Sequence, residues 1–149
     1  MNQLVLKKKN ELMKKKKGFT LVELIIVIAV IAVLAAIAIP KFGAVRNNAN
    51  KSADVANAKN IAAAVSKAIA NDEVNYSTAI SGAALKSVGG ADIASQIDGI
   101  TKDTKLKTKE YNTSTFVVDV DTSGNVKVKS SGEGGKELYP TTNEVFIGK

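Results

Sequence analysis

Glu23 is the residue whose type and place most require a chemical reason. It lies inside the apolar stretch "GFTLVELIIVIAV", directly behind the four lysines Lys14, Lys15, Lys16 and Lys17. A lone carboxylate in hydrocarbon costs roughly a few kcal/mol at mid-bilayer and less toward the interface, so it reads as a functional group that needs a partner. The chemistry open to it is pairing with a cation. Few other residues offer reactive chemistry. The chain has no cysteine, which excludes thiol redox chemistry and disulfides, and no histidine, which removes the commonest general base and transition-metal ligand. Neither a phosphate-cradling glycine loop nor a nucleophile–base pair is present, so the reading is of a non-enzymatic building block with no cofactor and no metal.

Two further clusters bear weighing. Asp119, Asp121, Ser123, Gly124 and Asn125 have the alternate oxygens and the bend glycine with which a calcium loop begins. Ser130 stands where the closing acid is needed, so the expectation is a plain hairpin with Asp119 paired to Lys127 across the strands. Lys105, Lys107 and Lys109 project to one side of an expected strand, which would suit nucleic acid or another polyanion. A solvated face is the simpler account, because aromatic residues that could stack on bases are scattered.

Charge along the chain is uneven. The net charge is +7, but residues 1–18 alone carry seven lysines against Glu11, leaving Phe19 onward at +1. From Phe19 to Ile39 only Thr20 and Glu23 are polar. At a helical rise of about 1.5 Å per residue this run spans roughly 30 Å, one hydrocarbon core. The lysines precede it, so the positive-inside bias predicts the N-terminus in the cytoplasm and the remainder outside. A secretory signal peptide cleaved after the small residues Ala36 to Ala38 is one alternative, although the run is longer than the usual apolar region of such peptides. A single-pass anchor for a soluble or secreted binding domain is another.

Pro40 closes the run, and Gly43 follows three residues later; both loosen a helix, which predicts a kink or local melting there. Val55, Ala58, Ala62, Val65 and Ile69 then recur at three- and four-residue steps, while Asn57, Lys59, Asn60 and Lys67 take other faces, which predicts an amphipathic helix over residues 44–70. Residues 76–97 read as a connecting region broken by Gly89 and Gly90, and residues 130–136 as a flexible surface loop. In "FVVDVDTSGNVKVK" a three-residue loop over 122–124 sets Val120 opposite Val126 and Val118 opposite Val128, with Gly124 in the left-handed position. With "KLKTK" before it and "VFI" at residues 145–147 after it, an antiparallel sheet is expected over 105–149. The fold class is α+β: a long N-terminal helix, half transmembrane and half amphipathic, packed against a small antiparallel sheet.

"KKGFTLVEL" followed by an apolar run to Pro40 resembles the N-terminus of type IV prepilins, the family of pilins and of type II secretion and competence pseudopilins. The resemblance covers about the first third of the chain and implies a type IV pilin-like fold. It implies removal of residues 1–18 as a cytoplasmic leader by cleavage between Gly18 and Phe19, N-methylation of Phe19 by the same prepilin peptidase, and a transmembrane and assembly helix over 19–40. Residues 41–149 would form an extracellular globular domain. Met13 is an alternative start to Met1, since the leader is longer than the shortest in the family. The implied partners are other pilin subunits, the prepilin peptidase, the pilus assembly machinery and, before assembly, the membrane. The implied function is that of a filament subunit at the cell surface, used for adhesion, motility or a related purpose.

The resemblance also supplies Glu23 with a counter-charge. Cleavage would create a cationic amine on Phe19 at a helix N-terminus that already favours anions. Glu23 is four residues on and can pair with that amine in its own chain or, as the resemblance implies, in a neighbouring subunit. An unpaired charge in an apolar filament core would penalise misplaced subunits, so the pair would set register.

Overall fold

A computed structural model of the chain describes residues 18–148. The predicted leader, apart from Gly18, lies outside the described residues, as do Met1, Met13 and Lys14 to Lys17. One helix, α1 (Leu21–Ala70), is followed by four strands: β1 (Ile80–Ala84), β2 (Phe116–Val120), β3 (Val126–Ser130) and β4 (Glu137–Tyr139). The strands form one antiparallel sheet in the order β1-β2-β3-β4, the expected α+β layout. The chain divides into two compact units, the first ending at Lys41 and the second comprising Phe42–Lys149.

In the first unit α1 is apolar on every face, and each large apolar side chain from Phe19 to Ile39 is at least 50% exposed. This helix is long and apolar enough to cross a membrane. α1 is unbroken at Pro40 and Gly43, so the local melting expected there is not found in the single chain.

The second unit is built around the amphipathic part of α1. Asp54, Ala58, Ile61, Ala62, Val65 and Ala68 are buried, and Val55 and Ile69 pack at the margin. From Asp54 through Ala58, Ile61 and Val65 to Ala68 the steps alternate between four and three residues, with Ala62 beside Ile61, so one face of the helix meets the core. It meets Phe116, Val118, Val120, Val126 and Val128 from the sheet, together with Leu85, Ile93, Leu106, Leu138 and Phe146. The hairpin register is the expected one: Val118 pairs with Val128, Asp119 with Lys127 and Val120 with Val126. Gly124 has φ +81°, the left-handed bend that closes the three-residue loop.

The sheet's margins differ from the sequence expectation. β1 was read as connecting coil, because "ISGAA" shows no apolar alternation; its ladder to β2 is interrupted between Ile80 and Ala83, which shifts the inward-facing positions. "KLKTK" is not a strand. Lys105 forms one isolated bridge to Thr115, after which the backbone N–H groups of Lys107 and Thr108 turn to the Asp54 carboxylate. "VFI" is not a strand either. Asn143 caps a single 3-10 turn (Glu144–Phe146) whose Phe146 ring is buried against Tyr111, and the last ladder position is taken by β4. The sheet thus occupies residues 80–84 and 116–139 rather than 105–149.

Candidate functional site

Gly18 and Phe19 lie ahead of α1 in an irregular, exposed segment. A Cβ at Gly18 would meet nothing within 4 Å, so no contact in the fold requires glycine there. Phe19 is 88% exposed and buries nothing within the chain.

Thr20 and Glu23 form a reciprocal cap on α1. The Thr20 backbone N–H donates to Glu23 Oε2 at 2.8 Å and its hydroxyl donates to the same oxygen at 2.9 Å, while the Glu23 N–H donates to Thr20 Oγ1 at 3.2 Å. This satisfies donors that the first helical turn leaves without intrahelical partners. The capping box was legible as Thr-x-x-Glu ahead of an apolar run, yet the reading of Glu23 as an assembly charge left Thr20 without a role. Both of these contacts fall on Oε2; no described residue donates to Oε1. The carboxylate can cap its own helix and still offer its second oxygen to a cation.

Pro40 and Gly43 lie within α1, and a Cβ at Gly43 would meet nothing within 4 Å. Gly43 therefore weakens the helix without relieving any clash.

The acidic hairpin has its oxygens committed elsewhere. Asp121 Oδ1 accepts the N–H groups of Ser123 and Asn125 at 2.8 and 2.9 Å, and Oδ2 accepts the Asn125 side-chain amide at 2.7 Å. These contacts, the Asn125 amide foremost, hold the Asp121 pKa below the ordinary carboxylate value. Ser130, at the closing position of the calcium pattern, is buried and accepts the Lys136 N–H at 2.9 Å. The geometry is that of a self-braced hairpin. Asp119 does not form a salt bridge with Lys127, its neighbour across the ladder; it forms one with Lys129, two residues along the strand, and accepts the Gly82 N–H at 2.7 Å. Lys127 turns instead to Glu137 at 3.8 Å. Burial raises the Asp119 pKa, but the Lys129 and Gly82 hydrogen bonds and the two lysine charges together hold it below the ordinary value.

The three lysines grouped in the sequence do not act together. Lys107 and Lys109 line a cleft with Arg46, Asn47, Asn50 and Asn112, and Lys105 lies outside it. The residue that arranges them, Asp54, was not singled out in the sequence. It is fully buried and accepts from Lys107 N at 2.8 and 3.0 Å, Thr108 N at 2.7 Å and Thr108 Oγ1 at 2.6 Å. The available signal was its place on the buried stripe, one turn before Ala58.

Residues 13–39 match the family described as "Prokaryotic N-terminal methylation motif", the segment that holds Gly18, Phe19, Glu23 and the exposed apolar turns. The chain carries a type IV prepilin-like signal. No match to the chain was found among curated proteins or among solved structures. The prepilin-like signal marks a type IV pilin-like or pseudopilin protein, and it points to a structural protein rather than an enzyme. It implies processing by a prepilin peptidase and assembly into pilin multimers. Signal and apolar helix together are consistent with a membrane-anchored pilin.

Proposed function

We propose that the protein is a structural subunit of a type IV pilus. The prepilin peptidase cleaves between Gly18 and Phe19 and methylates the new Phe19 amine, and the mature chain waits in the membrane with its N-terminus toward the cytoplasm. It then polymerises through α1 into a surface filament. The observation that carries this reading is the apolar surface of residues 19–39, which stays exposed among the described residues and which includes a single carboxylate. Such a surface needs lipid first and other copies of the helix afterwards. Glu23 Oε1 supplies the contact for the Phe19 amine of an adjacent subunit, while Oε2 keeps the cap on its own helix. Methylation leaves a secondary amine that still carries its charge. In the assembled fibre, Pro40 and Gly43 provide the weak point at which the helix bends or extends.

The test compares Glu23→Ala and Thr20→Ala by N-terminal mass spectrometry of membrane protein and by the yield of sheared surface filaments. Both variants are expected to be processed to a chain beginning at Phe19. Thr20→Ala loses about 1 kcal/mol of capping and still forms filaments; Glu23→Ala inserts but yields few or none. Abundant filaments from processed Glu23→Ala subunits would remove the assembly role. A mature chain beginning near Ile39 would replace the filament reading with secretion.

A further inference from the structure

The cleft formed by Arg46, Asn47 and Asn50 of α1 with Lys107, Lys109 and Asn112 has a volume of about 250 Å³ and opens to solvent beside Gly43. Its three cations have no salt bridge among the described residues, whereas Lys127 and Lys129 on the sheet are both paired. The Asp54 carboxylate is buried and has given its oxygens to Lys107 N, Thr108 N and the Thr108 hydroxyl, and the exposed Glu110, which follows Lys109, is not among the cleft's lining residues. That arrangement buries Thr108 and leaves the Lys107 and Lys109 side chains exposed on either side of it. Asn47 Oδ1 accepts the Lys109 N–H at 3.3 Å and steadies the same loop against α1. The fold thus brings three cationic side chains and three side-chain amides to one cleft, a lining that suits an anion with several acceptor oxygens. A phosphate group has that chemistry: the guanidinium offers paired donors, and the ammonium groups act as point charges.

We propose that this cleft binds the phosphate of an anionic phospholipid headgroup while the chain is anchored in the membrane. The proposal rests on the reading of residues 19–40 as the membrane span. Arg46 follows Ile39, the last residue of the apolar run, by only seven positions in the sequence, so the chain would leave the hydrocarbon core within a few residues of it. Long basic side chains reach back across a few ångströms to meet the headgroup layer. Nucleic acid is the less suitable anion, because no aromatic side chain lines the cleft for base stacking. Tyr111, next to Asn112 in the sequence, packs instead at a tilt against Phe146 with ring centroids 5.3 Å apart.

The experiment uses the full chain in vesicles of phosphatidylcholine alone or with phosphatidylglycerol added. Flotation reports insertion, and mass spectrometry reports the acylation rate of Lys107 and Lys109 relative to Lys86, which lies outside the cleft. Insertion into both vesicles is expected. Phosphatidylglycerol should slow acylation at Lys107 and Lys109 by about fivefold or more, with little change at Lys86, and Arg46→Gln should remove most of that protection. Equal slowing at Lys86 would reveal general surface attraction and overturn the site. Protection by inorganic phosphate in phosphatidylcholine vesicles equal to that by the lipid would make this a small-anion site and overturn the headgroup assignment. Protection by a single-stranded oligonucleotide alone would do the same in favour of nucleic acid. A chain that floats without protection overturns this proposal alone; one that fails to float with either vesicle overturns the membrane reading with it.

Discussion

Asp119 shows how a single residue can be placed correctly in a ladder and still be assigned the wrong partner. Alternation identified it as outward-facing and set it opposite Lys127, which the register bears out. The side chain reaches past that neighbour to Lys129, because the Gly82 N–H fixes one carboxylate oxygen and Lys127 is drawn to Glu137. Its pKa lies lower in the folded chain than its ordinary value, so it stabilises the fold above that value and loses the contribution as pH falls through the folded one. Asp119→Asn should therefore lower stability at neutral pH and flatten its decline below about pH 4, as read from denaturant midpoints taken across that range. An acid limb equal to that of the parent would mean that Asp119 takes no part in the acid response. Glu23 is the opposite case. Its charge stands out in an apolar run, but its cap on Thr20 required reading the spacing as well as the charge.

At the scale of elements, legibility followed length and periodicity. The β2–β3 hairpin could be read to the register, because a glycine-closed loop admits one arrangement that keeps apolar residues on one face; the helix was read correctly over residues 44–70, but its buried stripe also takes in Asp54, Ile61 and Ala68, and it runs on through Pro40 and Gly43. Phe116, inward-facing in β2 and almost fully buried, tests that register: Phe116→Ala should cost roughly 3 to 5 kcal/mol in urea titration. A cost well under 1 kcal/mol would place the ring outside the core and discard the register. β1 and β4 were not legible, the first because small residues and a ladder irregularity erase alternation, the second because three residues are too few to show it. The segment around Lys107 misled in the other direction. Its alternation is genuine, yet its ladder donors are captured by a carboxylate more than fifty residues upstream, and no local pattern reports a partner at that separation.

Considered whole, the molecule joins two units with different surfaces. Residues 19–39 expose apolar side chains on every face, whereas the second unit covers its own core with α1, the sheet and the loops between them. A chain comprising Phe42–Lys149 should be soluble, monomeric and cooperatively folded, as read by size-exclusion chromatography and a single thermal transition. Aggregation, or the absence of a transition, would show that the second unit depends on the first for its stability. The second unit also has to hold distant parts of its chain together without a cysteine. Asp54 reaches Lys107 and Thr108, positions 53 and 54 residues away, and so closes a loop of the kind that a covalent crosslink closes in many exported proteins. Unlike a disulfide, this fastener needs no oxidant to form and has no wrong partner with which to exchange. A unit pulled open along its length can close again by itself, in a reducing compartment as readily as in an oxidising one.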